Sequence, residues 1–360
     1  MTELTFEDEE FEEEQPGRVY YDLNETLSRG AGLSFVYGPR DVGKTYAGKN
    51  WWLKDFISNG AEGVYVRRLQ EELDETKHSL FDDVAHVYGK EVKARGSLFH
   101  IRNLRPLELE GKEVREWEQA NPWVRFGYSM ALSQQQMYKS GVYDKVTKMI
   151  YDEIIIENPN KRYLQNEPSQ FVNLMTTVFR HRPKRKIVAM SNAGAMWNPY
   201  FSYYKVTSKD LQQTFIRRNG GKVLFHIYRN EAAIASLRDS VMGDFGDEEY
   251  IRYAVEGKFR DVNEFMIVEK QDVKIVNSLY NVVAESGKMF SIHMTMDGCF
   301  LAIKGGLKSK RTYALHSGDM VNLYSPELIT DLRERYFRKS IFFDSIDTRM
   351  EILNTIKPSS

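Results

Sequence analysis

Leu33-Ser34-Phe35-Val36-Tyr37-Gly38-Pro39-Arg40-Asp41-Val42-Gly43-Lys44-Thr45 is the stretch on which the reading of the whole chain turns. Leu33 to Tyr37 is a short apolar run of the kind that forms a buried strand. Gly38 to Thr45 then matches G-x-x-x-x-G-K-[ST] in full, and Tyr46 to Phe56 is helix-compatible until Asn59-Gly60 ends it. The order has a chemical reason. Glycines let backbone N–H groups wrap a polyphosphate, the lysine reaches the β- and γ-phosphates, and the threonine hydroxyl ligates Mg²⁺. The helix start adds a partial positive charge aimed at the same anion. Gly38, Pro39, Arg40, Asp41, Val42, Gly43, Lys44 and Thr45 are therefore the candidate nucleotide-binding residues, with ATP and Mg²⁺ as the expected ligands. The alternative is a glycine-rich turn carrying an exposed lysine, which lacks a reason for the flanking strand and helix.

Further strands are expected at Gly63–Val66, Val146–Tyr151, Ile187–Met190 and Val223–Tyr228, alternating with helical stretches. That alternation predicts an α/β fold with a mostly parallel sheet. Asp152 and Glu153 follow Met149-Ile150-Tyr151, where a buried strand would deliver an acid to the metal. Neighbouring strand residues point to opposite sides, so Asp152 is expected to hold the metal and Glu153 to polarise the attacking water. Ser191-Asn192 ends the next strand, where Asn192 can hydrogen-bond the γ-phosphate and that water. Between them, Arg180 to Lys186 carries five basic residues in seven. In ring ATPases this position faces the neighbouring subunit's nucleotide, which makes Arg180 the expected trans-acting finger, with Arg182 next. A solvated basic turn or a nucleic-acid phosphate contact is the alternative.

The 360 residues suggest roughly two domains. A 42% hydrophobic and 13% aromatic composition is enough for a real core and excludes wholesale disorder. The lone cysteine, Cys299, excludes an internal disulfide framework or a multi-cysteine zinc site and fits a reducing compartment. No apolar run approaches the ~18 residues of a membrane span, and an acidic opening is not a signal peptide, so a soluble, intracellular chain with no membrane partner is expected. Eight of the 51 acidic residues fall within residues 1–15 (MTELTFEDEEFEEEQ) with none of the 50 Lys and Arg, so the overall charge of -1 hides a body carrying +7. Such a block repels itself and is expected to be a disordered tail over 1–17. The expected organisation continues with a P-loop ATPase domain over 18–235 and a linker with a short helix over 236–274. A smaller C-terminal α+β domain is expected over 275–360, where Asp297-Gly298 between alternating runs signals a hairpin. A third strand over Thr312–Leu315 and helices over Pro326–Phe337 and Asp347–Ile356 complete it.

Gly38–Thr45, Tyr65-Val66-Arg67-Arg68, Asp152-Glu153, Thr177-Val178-Phe179-Arg180 and Ser191-Asn192-Ala193 followed by Asn198-Pro199-Tyr200-Phe201 resemble the DNA-packaging (encapsidation) ATPases of small, short-tailed, protein-primed phages, the Picovirinae group. The P-loop is generic; the order of the other segments is much more specific. The resemblance implies a P-loop NTPase of the additional-strand, conserved-glutamate class. It implies a homomeric ring, typically a pentamer, that works at the viral portal in the host cytoplasm and drives double-stranded DNA into a preformed procapsid. By the same resemblance Lys139 is a second trans-acting cation beside Arg180. Gln70 departs from a lysine found in family members three residues after the position of Arg67. The C-terminal domain is implied to be ribonuclease-H-like, without its metal carboxylates, and to dock the motor, in some members on a packaging RNA.

A two-metal nuclease needs several carboxylates converging on ions ~3.5–4 Å apart. Asp297, Asp319, Asp331, Asp344 and Asp347 do not follow apolar strands as Asp152 does, so nuclease activity is not expected. Lys304, Lys308, Lys310 and Arg311 form a basic loop for RNA or DNA phosphates. Lys93, Arg95, Arg102 and Arg105 fall in an expected inserted hairpin that would grip DNA without base readout; a soluble edge hairpin is the alternative. His78, His86 and His100 lack metal-ligand spacing. Three other classes compete with the packaging motor. They are a helicase or recombinase-like ring ATPase, a large terminase with an active nuclease, and a module that ATP binding merely switches.

Overall fold

The computed structural model describes residues 20–157, 161–194, 198–207, 210–246, 248, 251–257 and 266–356, so the acidic stretch expected over 1–17 lies outside the described residues. The strands are β1 Leu33–Gly38, β2 Glu62–Arg67, β3 Lys90–Arg95, β4 Leu98–Asn103, β5 Val124–Ala131, β6 Val146–Asp152, β7 Lys186–Asn192, β8 Phe215–Arg218 and β9 Val223–Ile227. They form one nine-stranded sheet in the order β3-β4-β5-β2-β6-β7-β1-β9-β8. The six from β5 to β9 run parallel, and the hairpin β3-β4 and strand β8 add antiparallel edges. β1 and β2 are buried along their whole length, as parallel strands covered on both faces must be.

The helix after the P-loop, Lys44–Asn59, begins two residues before the expected start and ends at Gly60, whose left-handed φ of 67° lets its N–H reach the Phe56 carbonyl. Trp52 of this helix is fully buried over a slot that needs two glycines. Gly63 and Gly127 face each other across β2 and β5. A Cβ on Gly127 would lie 2.1 Å from the Trp52 ring and 2.5 Å from the Gly63 carbonyl oxygen.

A second, six-stranded sheet comprises β10 Ile275–Val283, β11 Met289–Thr295, β12 Phe300–Lys304, β13 Thr312–Ala314, β14 Leu323–Tyr324 and β15 Ile341–Phe343, in the order β14-β13-β10-β11-β12-β15. The Asp297-Gly298 turn does join an antiparallel pair, β11 and β12. β10 itself went unread in the sequence because Asn277, Ser278 and Asn281 interrupt its apolar run. The strand expected at Thr312–Leu315 joins not the hairpin but β10, in parallel. The helices Pro326–Phe337 and Ile346–Ile356 cover this sheet.

Within the region read as a linker, the described residues hold three short helices, Val241–Phe245, Ile251–Val255 and Lys270–Asp272, where a single one is expected; the helix Glu231–Arg238, which runs into it, has no counterpart in the sequence reading. One apolar core runs through both sheets, from Phe35, Tyr151 and Phe171 to Val282, Ile292 and Tyr336. Among the described residues no helix is long and apolar enough to cross a membrane.

Two stability predictions follow from this packing. Gly127→Ala should lower the unfolding free energy by about 1–3 kcal/mol in urea titration, because the added methyl overfills the Trp52 slot. His226 on β9 is buried against Thr26 (2.7 Å), and burial lowers its pKa to about 4. An unfolded imidazole binds its proton near 6.5 and the folded one only near 4. Stability should thus be intact above pH 6.5 and decline by about 3 kcal/mol as the pH falls through 4. His226→Gln should flatten that acid limb in pH-dependent melts.

Candidate nucleotide-binding and active site

β1 and β6 deliver their C-terminal ends to one edge of the sheet, with β7 between them. The loop after β1 turns through Asp41 (φ 56°) and Gly43 (φ 76°) into the helix at Lys44. At Gly43 a side chain would be both strained and only 3.1 Å from the Tyr20 ring. The Thr45 hydroxyl donates to Asp152 Oδ2 at 2.9 Å, and the Tyr65 hydroxyl donates to the same oxygen at 3.0 Å. Residues 107 positions apart thus meet as the two hard oxygen donors that a magnesium ion would need.

Lys44 is almost fully buried and folds back on its own loop, its Nζ donating to the carbonyls of Gly38 (3.4 Å) and Pro39 and to Asn192 Oδ1 (3.0 Å). Burial depresses its pKa to about 8, against the pull of Asp152 and Glu157. Asn192 in turn donates to Glu157 Oε1 at 2.8 Å, and Arg40 pairs with Glu157 Oε2 at 2.8 Å. Asn192 therefore lies beside Lys44 as its strand position suggested. Glu157 was not foreseen, because three isoleucines separate it from the acidic pair.

Glu153 corrects one step of the strand argument. β6 ends at Asp152, and Glu153 adopts a left-handed φ of 55°, so a backbone turn rather than strand alternation parts the two carboxylates. The Glu153 carboxylate is exposed and paired with the Arg67 guanidinium. The next residue, Arg68, is buried and forks onto Glu167 through Nε and Nη2 (2.8 and 3.0 Å), while Nη2 also donates to the Ile154 carbonyl (2.6 Å) and Nη1 to that of Glu153 (3.3 Å). Glu167 is fully buried and also accepts from Tyr151 and Tyr200. The turn carrying Glu153 is thereby pinned to the N-terminus of helix Glu167–Phe179. Helix Pro326–Phe337, which packs on the second sheet, touches the start of the same helix, since Asn166 N donates to Glu334 Oε2 at 3.1 Å.

Asp41, Gly43, Lys44, Thr45, Asp152, Glu153, Ser191 and Asn192 line a cavity of about 250 Å³. Asp41, Gly43 and Tyr46 are shared with a larger cleft of about 950 Å³, into which Tyr20, Asn50, Trp51 and Lys54 also face. No motif marks this second cleft; its aromatic residues come from the N-terminal segment and from one face of the P-loop helix.

Arg180 and Lys139 lie elsewhere. Helix Glu167–Phe179 runs back across the sheet, leaving Arg180 exposed near the starts of β1, β7 and β9, at the edge opposite the P-loop. Its guanidinium reaches Gly141 O at 3.3 Å, which places it next to the exposed Lys139. Arg182, the second choice, is spent on the carbonyls of Val178, Phe179 and Tyr143.

Lys93, Arg95 and Arg102 do fall on the hairpin β3-β4, at the sheet edge, but Arg102 is not available to phosphate. It pairs with Glu91 and Glu118 between the Trp117 and Trp123 rings. Lys93 sits over Trp123, and Arg95 and Arg105 are exposed. Lys304, Lys308, Lys310 and Arg311 share the loop between β12 and β13, which the buried Asn281 side chain ties down through Leu307, Lys310 and Thr312. Asp297 and Asp319 sit in separate turns, Asp331 is in the middle of helix Pro326–Phe337, and Asp344 and Asp347 are at the start of helix Ile346–Ile356. Among the described residues no group of three or more His, Cys, Asp or Glu could hold a metal ion.

Comparison with known proteins adds to this geometry. The sequence matches the family model described as Podovirus DNA encapsidation protein (Gp16) over residues 17–114 and 120–350. The DNA packaging protein of Bacillus phage B103 is 30% identical over 292 residues, covering 80% of this chain and 83% of that protein. That of Bacillus phage phi29 is 34% identical over 189 residues, 52% of this chain and 51% of the relative; the chain matches only about half the length of that protein and of its counterpart in phage PZA. A chain of the bacteriophage Phi-29 viral genome packaging motor assembly superposes with a TM-score of 0.52 at 25% identity, covering 94% of this chain and 100% of that one.

Replacing Glu167 with Gln should strand the buried Arg68 charge and cost about 3–5 kcal/mol of unfolding free energy by denaturant titration. An unchanged midpoint would show that the pair contributes nothing to the turn at Glu153.

Proposed function

This chain belongs to the podovirus DNA encapsidation protein (Gp16) family, and from that membership we propose that it is an ATP-hydrolysing motor that drives double-stranded viral DNA into a preformed capsid. The observation that carries the proposal is the 2.9 Å contact between Thr45 and Asp152 at the mouth of the P-loop, with Glu153 at its side. The position of β7 between the P-loop strand and the acidic strand supports a reading in the additional-strand, conserved-glutamate class. The order β12-β11-β10-β13-β14, antiparallel through the first three and parallel for the last two, supports a ribonuclease-H-like reading of the second sheet. The scattered aspartates favour docking over DNA cleavage there. The proposed units are the ATPase over 18–235, the linker over 236–274 and the docking domain over 275–360.

In the proposed reaction the backbone N–H groups of Gly38–Thr45 wrap the triphosphate, and Lys44 exchanges its carbonyl partners for phosphate oxygens. The cleft beside Tyr20 and Tyr46 takes the base on aromatic faces. Thr45 and Asp152 would hold Mg²⁺, whose chemistry is to withdraw negative charge from the phosphates. Glu153 leaves Arg67 and accepts a proton from water as the water oxygen attacks the γ-phosphorus. The bond from that phosphorus to the bridging oxygen breaks, giving ADP and phosphate. Asn192 positions the γ-phosphate and the water. Arg180 and Lys139, remote from their own P-loop and adjacent to each other, serve a neighbour's nucleotide in a ring, which the family resemblance makes a pentamer. Lys93, Arg95 and Arg105 contact DNA phosphates, and the Lys304–Arg311 loop meets a packaging RNA or the portal. The place of action is the capsid portal in the host cytoplasm.

Glu153→Gln should retain ATP binding, read by a fluorescent analogue, while hydrolysis falls by about 10²–10⁴; full turnover in that variant would refute Glu153 as the base. Arg180→Ala and Lys44→Ala should each be inactive alone, yet regain turnover when mixed if the arginine acts between subunits. DNA-stimulated cleavage of plasmid in Mn²⁺ would instead favour a nuclease.

A further inference from the structure

At the sheet edge opposite the P-loop lies a cleft of about 450 Å³, and of its lining residues the proposed reaction uses only Arg180. That volume is in the range of specific binding pockets, ~300–1,000 Å³. Its floor is apolar, built from Val172, Met175 and Phe179 of one helix and Leu33, Ile187 and Val223 at the starts of β1, β7 and β9. Its rim is cationic: Arg180, Arg185 and Lys222 are all exposed, and no carboxylate lines it among the described residues. The occupant such a surface selects is an acidic segment carrying large apolar side chains. A solvated basic patch would have no use for the floor, and an apolar partner would have none for the rim.

The chain itself carries that chemistry. Residues 5–14, TFEDEEFEEE, set Phe6 and Phe11 among seven carboxylates. This stretch joins the fold at Tyr20, and Tyr21 N is anchored on Val42 O at 2.8 Å, at the P-loop edge. The fourteen residues from Phe6 to Tyr20 reach at most ~50 Å when extended. β1 rises ~20 Å from one edge of the sheet to the other, and the remaining length takes the segment from the face that packs Tyr21 and Trp52 to the opposite face, where Leu33 and Phe179 lie. We propose that the acidic, phenylalanine-bearing N-terminal segment docks in cis on this cleft, with Phe6 or Phe11 on the apolar floor and the flanking carboxylates on Arg180, Arg185 and Lys222. The inference rests on the shape and charge of the cleft and not on the nucleotide reading. One consequence joins the two, because a docked segment would cover Arg180 in the isolated chain.

The test uses the full chain with p-benzoyl-phenylalanine in place of Phe6 or Phe11, irradiated in dilute solution and mapped by mass spectrometry. Crosslinks should concentrate on segments 172–187 and 222–223. Their yield should fall about fivefold or more at ~0.5 M NaCl, and likewise in the Arg185→Glu/Lys222→Glu variant once circular dichroism shows that it is folded. Crosslinks scattered over the surface, concentrated at another site, or insensitive to salt would overturn the proposal. A mixture of isotopically light and heavy chains separates the two arrangements: products of single isotopic type support docking in cis, and mixed products show a second copy as the partner and overturn it. None of these readouts depends on ATP turnover.

Discussion

The contact of Thr45 with Asp152 holds the arrangement together, and it is a consequence of sheet topology. Parallel strands end at a common edge, so a P-loop after β1 and an acid at the end of β6 converge although β7 separates them. The intervening Asn192 fills the space between, bonded to Lys44 on one side and Glu157 on the other. Helix Lys44–Asn59 is held at its working angle from below, by Trp52 pressed onto the paired glycines of β2 and β5. A loop that must present backbone N–H groups to an anion needs such rigid backing, since misplacement by an ångström weakens every contact at once.

The charges around this contact are paired among themselves. Lys44 rests on carbonyls and Asn192, Arg67 on Glu153, and Arg40 on Glu157. Each pairing lowers the cost of a charge close to the protein interior. Each also sets what a bound polyphosphate has to displace. Glu153 in particular is held by an arginine of β2, and its backbone by Arg68 and, through Glu167, by the helix whose N-cap residue Asn166 donates to Glu334 of helix Pro326–Phe337. A short chain of hydrogen bonds and ion pairs therefore links Glu153 to helix Pro326–Phe337 beside the second sheet.

The two edges of the main sheet differ in character. One collects carboxylates, hydroxyls and the loop amides; the other sets Arg180, Arg185 and Lys222 around an apolar cleft. The acidic block at the N-terminus offers the cationic edge a partner within the same chain.

Local order in the sequence determined the P-loop, the strands bearing Asp152 and Asn192, and the hairpin at Asp297-Gly298. Each depends on neighbours a few residues away, through backbone conformation and apolar runs. Glu157, Arg67 and Glu167 were not legible as site residues, because their roles come from partners 86 to 117 positions distant. The same holds for Arg102, read as a DNA contact until the fold packed it between two tryptophans and two glutamates. β10 escaped because polar residues break its apolar run, and the buried one, Asn281, bonds to a loop the strand pattern cannot announce. Residue type and spacing specify which chemistry a segment can perform. Which charges remain free to perform it is decided by burial and long-range pairing, and those exist only once the chain has folded.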